Sequence, residues 1–491
     1  MIKNFKWLLL VSLTFIACNN DDENSTPVEV PVTSGTASFT KYVALGDSFA
    51  AGYSDGALFK KGQEGSYVNI LAQQFVTAGG GDFKTPFTSD NLGGLLLGGN
   101  VIAGTRLYFK LSTSSPTPVA GVPTTEVTSK ITGPFNNLGI PGAKSYHLIA
   151  PGYGNVAGVA TGAANPYFAR FATASGTTVL ADALVQAPTF FSLWIGGNDV
   201  LGYATSGGIG VNQTGNLNPA TYGGNDITDP NVFASVYSGL VAKLTANGAK
   251  GVVANLPYVS TLPYFTTVPY NPVPLTAGVA TQLNSGYAAY NGGLQFAVSK
   301  GLITADEATK RTVKFAAGSN AVVIVDSYLT NLSAYGIPSY RQATSEDLPV
   351  LTSRTFIGTL VGGNAAAVNG VSVPLADQWI LTKDEIAEVK VATDAYNVTI
   401  KAIADAKGLA FVDTKAIMTQ LSTGGVVSNS FTLTSAYVTG GAFSLDGVHP
   451  GPRGYALITN AFMTAINAKY SSTLKPVDLS LYPILYPAVI Q

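Results

Sequence analysis

The segment Tyr42–Ser48 reads YVALGDS and joins a short apolar run to a Gly-Asp-Ser turn. An apolar run that stops at turn residues predicts a buried β-strand, here at residues 42–45. The next periodic segment is a helix pattern at residues 66–75, in which apolar residues recur every three or four positions. A strand, a turn and a helix in this order are typical of the first unit of an α/β fold.

The same alternation recurs along the chain. Further strands are predicted at residues 135–140, 189–195, 251–256 and 409–412. Further helices are predicted at residues 233–244, which Gly248 can cap, at residues 382–408, which begin with the capping box Thr382-x-x-Glu385, and at residues 453–469. Strands that alternate with helices indicate a mostly parallel sheet that is covered on both faces.

Two long segments interrupt this alternation. Residues 79–132 are rich in Gly, Thr, Ser and Pro, with one short strand predicted at residues 106–111. Residues 264–378 contain a second capping box at Thr304 and an apolar run. We interpret both segments as insertions into one domain at residues 39–475, which a C-terminal tail at residues 476–491 follows.

Composition narrows the class of protein. Hydrophobic residues make up 46% of the 491 residues, which is enough for a large core. The chain has 27 Lys and Arg against 28 Asp and Glu, and no basic stripe, so nucleic acid is not an expected partner. The single cysteine excludes an intramolecular disulfide and a cluster of thiolate metal ligands.

The N-terminus has the pattern of a secretory signal. Two lysines precede an apolar stretch at residues 7–17, which is too short to span a membrane, and Cys18 follows. We predict a signal peptide at residues 1–17 and a polar tether at residues 18–38. The junction resembles a bacterial lipobox, which implies that Cys18 is lipidated; the alternative is an ordinary signal peptide with an incidental cysteine.

The acidic residues that follow Cys18 resemble the surface-export signal of Bacteroidetes-type lipoproteins. That resemblance predicts an exported protein, anchored through its lipid to the outer membrane and displayed at the cell surface.

Four short motifs carry the residue types that a serine hydrolase needs. They are Gly46-Asp47-Ser48, Asn137-Leu138-Gly139-Ile140-Pro141-Gly142, Trp194-Ile195-Gly196-Gly197-Asn198-Asp199 and Asp446-Gly447-Val448-His449-Pro450. The first three follow predicted strands, and the carboxyl ends of parallel strands meet at one edge of a sheet. Each motif alone also fits an ordinary turn, so only their combination indicates a catalytic site.

The chain has only two histidines, which restricts the choice of a general base. His449 has Asp446 three residues before it, where a carboxylate can reach Nδ1 and fix the tautomer of the ring. His147 has no such partner in its surroundings, and we expect it to be an ordinary polar residue.

The order of these motifs resembles that of the SGNH (GDSL) esterase/lipase family, with Phe49 where the name-giving Leu usually stands. The resemblance implies a three-layer α/β/α sandwich with a five-stranded, flavodoxin-like sheet. It implies that Ser48 is the nucleophile, His449 the general base and Asp446 its orienting carboxylate. The implied oxyanion donors are Ser48 N–H, Gly142 N–H and the Asn198 amide, with Gly139 as the alternative glycine. It implies no metal and no cofactor.

We therefore expect a carboxyl-ester hydrolase, either a lipase or acylhydrolase or a carbohydrate acetylesterase. The alternative is a surface lipoprotein that keeps the fold but only binds glycans or lipids. All five residues that the resemblance implies for the site are present, which favours an enzyme over a binding protein. The two insertions are expected to lie at the mouth of the cleft and to shape the choice of substrate.

Overall fold

The computed structural model describes residues 31–428 and 431–490. The predicted signal peptide, Cys18 and the tether as far as residue 30 lie outside the described residues. Among the residues that are described, no helix is both long enough and apolar enough to cross a membrane.

The core of the fold is a parallel sheet of five strands. The strands are β1 (Tyr42–Gly46), β2 (Asn137–Gly139), β3 (Phe190–Trp194), β4 (Lys250–Ala254) and β5 (Ala410–Val412). Their order across the sheet is β5-β4-β3-β1-β2, and every neighbouring pair is parallel. The predicted five-stranded parallel sheet is confirmed, with strand ends within a few residues of those expected.

Helices alternate with these strands, and seven of them matter for the site and its support: α1 (Ser48–Ala51), α2 (Tyr67–Val76), α3 (Asn198–Thr205), α4 (Pro230–Thr245), α5 (Lys383–Lys407), α6 (Thr414–Thr423) and α7 (Pro452–Tyr470). Every residue of β1 and β3 is buried although successive side chains point to opposite faces, so helices cover both faces. On one face, aromatic residues of α2 and α7 pack against β3, as Phe75 does on Phe190 and Phe462 on Trp194.

The helix boundaries follow the sequence signals that predicted them. In α5, the Glu385 carboxylate accepts a hydrogen bond from Thr382 N–H at 2.7 Å, and Gly408 ends the helix with a φ of +62°. α4 packs against α5 through the stacked rings of Phe233 and Tyr396.

The second insertion has a hydrophobic core of its own, which includes Val323, Ile324 and Leu375. Beside it, buried Arg341 binds both oxygens of Asp347 at 2.7 and 2.8 Å. The first insertion contains the predicted short strand as Leu107–Lys110, paired with Ser115–Pro118.

The other elements lie outside the central sheet and its main helices. The further helices are Lys60–Glu64, Pro166–Ala169, Val179–Leu184, Pro263–Thr266, Ala277–Gly286, Ala288–Ser299 and Ala305–Arg311. The further strands are Leu95–Leu97, Asn100–Ala103, Val273–Leu275, Gly318–Asn320, Val323–Val325, Tyr340–Gln342, Leu348–Pro349, Ile380–Leu381, Val426–Ser428 and Phe431–Leu433.

Both ends of the described chain pack on the domain. The compact unit begins at Val32, and Thr36 N–H donates to the Tyr470 carbonyl at 2.8 Å. Near the C-terminus, the buried Arg106 guanidinium donates to the Pro487 carbonyl at 2.7 Å. The segments 32–38 and 476–490, which the sequence assigns to the tether and the tail, therefore pack on the domain.

Candidate active site

The sheet brings three of the four motifs to one edge. The register pairs Gly46 at the end of β1 with Gly139 of β2 and with Trp194 of β3. The turns that follow these residues therefore lie side by side at the carboxyl ends of the strands. The fourth motif directly precedes α7, which packs on α2 and β5. His449 of this motif contacts Ser48 at the same edge of the sheet.

Ser48 is the first residue of the short helix α1, directly after β1. The Asp47 carboxylate caps this helix by accepting a hydrogen bond from Phe49 N–H at 3.0 Å. A Cβ on Gly46 would lie only 2.6 Å from the Trp194 carbonyl oxygen, so the turn needs glycine there. The tight turn presents the Ser48 hydroxyl to His449, with Oγ 2.8 Å from Nε2.

The other ring nitrogen of His449 contacts a carboxylate. Nδ1 lies 2.9 Å from Oδ2 of Asp446, whose Oδ1 accepts hydrogen bonds from Val448 N–H and His449 N–H. Burial alone would raise the pKa of Asp446, but His449 and these hydrogen bonds outweigh it and lower the pKa to about 2. An ionised Asp446 keeps the proton of the neutral imidazole on Nδ1, which leaves Nε2 to accept from Ser48.

Two aromatic rings hold the imidazole in place. The ring centroids of Phe49 and Tyr53 lie 5.3 and 4.7 Å from that of His449. The segment from β1 to Tyr53 thus supplies both Ser48 and two of the rings that pack around His449. The contact of Tyr53 with His449 could not be predicted, because the two residues are far apart in sequence.

Gly142, in the loop after β2, lies beside Asn198, the first residue of α3. Gly142 has a φ of +80°, and nothing lies within 4 Å of the position that a Cβ would take. The Asn198 amide donates to the Ala143 carbonyl at 3.0 Å, so the start of α3 is bonded directly to the loop after β2. Buried Asp199 strengthens this link, because its carboxylate accepts from both the N–H and the hydroxyl of Ser145, each at 2.8 Å.

Gly139, the alternative glycine, has a different environment. Its N–H donates to the Asn137 side chain at 2.9 Å. A Cβ at this position would lie 2.2 Å from the Ala51 backbone nitrogen, so glycine allows α1 to pack directly on β2. Gly139 thus supports the helix that carries Ser48.

His147 lies apart from the bonded group of Ser48, His449 and Asp446. Its Nδ1 accepts a hydrogen bond from Lys144 N–H at 3.0 Å, and its ring stacks on Tyr153. Burial, with a further contribution from Lys144, lowers the pKa of His147 to about 4. The ring is neutral near pH 7 and stabilises the loop that follows Gly142.

Both insertions approach the site. Tyr264 N–H, at the start of the second insertion, donates to the Gly447 carbonyl at 2.9 Å, and Leu107 N–H of the first donates to the Asp55 carbonyl at 2.7 Å. An apolar pocket lies beside α1 and is lined by residues that include Phe49, Trp194, Pro257, Leu262 and Met418. Sequence periodicity does not reveal this pocket, because its walls come from five separate segments.

Over residues 31–428 and 431–490, no group of three or more His, Cys, Asp or Glu side chains could hold a metal ion. A serine hydroxyl bonded to an imidazole that is bonded to a carboxylate is the arrangement that serine hydrolases use.

Comparison with known proteins identifies the family. The family model described as GDSL-like lipase/acylhydrolase matches residues 42–462, most of the chain. The chain therefore belongs to the GDSL-like lipase/acylhydrolase family and is a serine ester hydrolase. No curated protein matches the chain.

Several solved structures are similar at low identity. An alpha/beta hydrolase enzyme from the metagenome of Lake Arreo is 11% identical, with 88% of this chain and 96% of that chain covered and a TM-score of 0.31. A mutant acetyl-xylooligosaccharide esterase from Geobacillus is 11% identical, with 88% and 97% covered and a TM-score of 0.31. An extracellular lipase from Streptomyces rimosus is 12% identical, with 88% and 99% covered and a TM-score of 0.30.

The first prediction concerns Asp47 and pH. Burial raises the pKa of this carboxyl to about 7, against about 3.9 in an unfolded chain. Between these values the unfolded state loses its proton first, so the group's contribution to stability falls as pH rises. Asp47→Asn removes this titration and keeps a capping oxygen. As pH rises from 5 to 8, the unaltered protein should therefore lose unfolding free energy that the variant keeps. The difference between the two proteins should change by about 1–3 kcal/mol in favour of the variant.

Urea unfolding at the two pH values measures this difference. Asp405→Asn is the matched control, because the Asp405 side chain is 63% exposed and its substitution should leave the pH dependence unchanged. The interpretation is wrong if the Asp47→Asn variant and the unaltered protein show the same pH dependence.

Proposed function

We propose that the chain hydrolyses carboxylic esters with Ser48 as nucleophile, His449 as general base and then acid, and Asp446 as the carboxylate that orients His449. The observation that carries this proposal is the continuous chain of hydrogen bonds, 2.8 Å from Ser48 to His449 and 2.9 Å from His449 to Asp446. The same contacts favour catalysis over mere binding of glycans or lipids, which would not need a serine bonded to a base.

The reaction proceeds in two halves. Ser48 Oγ forms a bond to the ester carbonyl carbon while its proton moves to His449 Nε2, and the carbonyl electron pair moves to the oxygen. Collapse of this intermediate breaks the bond to the leaving alcohol, which takes the proton from Nε2. A water molecule then attacks the acyl group on Ser48 by the same steps, which releases the acid and restores the serine.

The negative oxygen of each intermediate needs hydrogen-bond donors. We assign Ser48 N–H, Gly142 N–H and the Asn198 amide to this role. Within the described part of the chain, neither backbone N–H donates to a protein acceptor. The Asn198 amide donates one hydrogen to the Ala143 carbonyl, which leaves its second hydrogen for the substrate oxygen. Gly139 is the weaker choice, because its N–H is already bonded to Asn137. One such donor contributes about 10²–10³ in turnover.

The apolar pocket beside α1 suits the acyl group of the substrate. The pocket walls come from Phe49, which follows the nucleophile, from Trp194 at the end of β3, from the segment after β4 and from the helices α6 and α7 with the loop before α7. We therefore propose a lipase or acylhydrolase, with carbohydrate acetyl esters as the second candidate, since an acetyl group needs no such pocket. Rates on p-nitrophenyl acetate, butyrate and octanoate against acetylated xylan separate the two classes.

We also propose that the enzyme is exported and anchored in the outer membrane through a lipid on Cys18, with the hydrolase domain at the cell surface. The support is the sequence pattern alone: an apolar stretch at residues 7–17, the single cysteine directly after it, and an acidic segment next.

The second prediction tests the proposed nucleophile and base. Ser48→Ala and His449→Ala should each lower kcat on p-nitrophenyl butyrate by about 10⁴-fold or more, and the double variant should be no worse, because the groups act as a unit. Thermal unfolding checks that each variant is folded. His147→Ala is the control for loss of a histidine, and its kcat should stay within about threefold of the unaltered enzyme even if its stability falls. Ester hydrolysis at the unaltered rate by purified Ser48→Ala protein would refute the proposal.

The third prediction tests the anchor. Cys18→Ala removes the only thiol in the chain, so the protein should lose its lipid and leave the membrane fraction, or remain unprocessed. Fractionation and intact mass measure both effects, with Ser12→Ala in the same segment as the control. An unchanged membrane fraction and unchanged mature mass would show that Cys18 carries no anchor.

A further inference from the structure

A tight turn at Ser54–Ala57 lies against the loop that carries Asp446 and His449. Ser54 and Ala57 exchange two backbone hydrogen bonds of 3.1 Å, which close the turn. At its tip, Gly56 N–H donates to Asp446 Oδ2 at 3.0 Å. This is the same oxygen that contacts His449 Nδ1. The turn therefore bonds directly to the carboxylate that orients the base.

Asp55 fastens this turn to the backbone just before Asp446. Its carboxylate Oδ1 accepts from Leu445 N–H at 2.9 Å, and its own N–H donates to the Ser444 hydroxyl at 3.0 Å. On the far side of His449, the Ser54 hydroxyl donates to the Pro450 carbonyl at 3.1 Å. The turn thus holds the catalytic loop on both sides of its two functional side chains.

Aspartate suits the backbone conformation at position 55. Asp55 has a φ of +53°, a left-handed conformation that Asp, Asn and Gly adopt more readily than other residues. Only 1% of the Asp55 surface is exposed, and Oδ2 has no partner among the described residues. The charged groups near the carboxyl are Asp446, Arg106 and His449. Burial is the largest influence and raises the pKa of Asp55 to about 7, so asparagine resembles the neutral form of the group.

We propose that Asp55 is a positioning residue for catalysis: through Leu445 N–H and the Ser54–Ala57 turn, its carboxyl group sets the place of Asp446 against His449. This inference rests on the proposed function. Asp55 does not touch the substrate or the reacting atoms, so its loss should affect the chemical step far more than substrate binding. A displaced Asp446 holds the His449 ring in the wrong orientation or tautomer.

Three substitutions at one position separate the carboxyl group from the backbone conformation. Asp55→Asn keeps the acceptor for Leu445 and tolerates the positive φ. Asp55→Gly keeps the positive φ and removes the acceptor, and Asp55→Ala loses both advantages. With p-nitrophenyl butyrate, we expect kcat to fall by about 10- to 100-fold in the Gly and Ala variants, with KM within about threefold, and to stay within about threefold in the Asn variant.

The imidazole signals give a second readout. The chain has only two histidines, and His147 Nδ1 is an acceptor, so the Nδ1–H signal of ¹⁵N-labelled protein belongs to His449. That signal should shift or vanish in Asp55→Gly and persist in Asp55→Asn. Asp182→Ala is the matched control: this buried carboxylate accepts from Thr173 N–H and the Thr177 hydroxyl, so its loss should lower the melting temperature without lowering kcat.

Asp55→Gly protein with unaltered kcat and an unaltered His449 signal would overturn the inference. If the Gly and Ala variants do not fold, Ser444→Ala removes the other bond to the turn and should lower kcat by about three- to tenfold with the same change of signal. Unaltered kcat and signal in that variant would equally overturn it. Failure of the proposed function looks different, since Ser48→Ala would then remain active whatever the behaviour of the Asp55 variants.

Discussion

The hydrogen bond between Ser48 Oγ and His449 Nε2 joins residues 401 positions apart, and the fold is arranged around that contact. Ser48 stands at its place because β1 ends in a turn so tight that only glycine fits at position 46, and because Asp47 caps the helix that follows. His449 stands at its place because α7 packs across the sheet on α2 and starts just after the catalytic loop. A shift of the sheet or of α7 would break the bond.

The carboxyl groups around this bond differ in charge. Asp446 accepts from three backbone N–H groups and from the His449 ring, and its pKa is lowered to about 2. Asp47 and Asp55 are also buried, but each accepts from only one other residue's backbone N–H, and burial raises the pKa of each to about 7. The negative charge is therefore concentrated on the group that faces the imidazole. The charge of the neighbouring His449, together with the hydrogen bonds to Asp446, outweighs burial and lowers the pKa of this carboxyl alone among the three.

Much of this architecture could be predicted from the sequence. The strand at Tyr42–Gly46 and the helix at Lys383–Lys407 were predicted within one residue, because an apolar run before Gly-Asp-Ser and a capping box are local signals. The motifs around Ser48, Gly142, Asn198 and His449 could be placed at one edge of the sheet, because parallel strands align their carboxyl ends.

Features that depend on distant partners could not be predicted. The Ser54–Ala57 turn reads as an ordinary turn, since its partners Ser444 and Leu445 are almost 400 positions away. The packing of α1 on β2, which leaves no room for a Cβ at Gly139, also gave no local signal. Arg341 gave no sequence signal, because it binds two carboxylates of the insertion, Asp326 and Asp347, that lie in separate turns.

The central claim is that Ser48 is the nucleophile, and covalent trapping tests it most directly. Intact-mass analysis and peptide mapping after reaction with a fluorophosphonate should show one adduct per chain, on the peptide that contains Ser48. Protein with His449→Ala should react far more slowly, because the hydroxyl then lacks its base. A stoichiometric adduct on a different serine, or no adduct on protein that hydrolyses esters, would contradict the account.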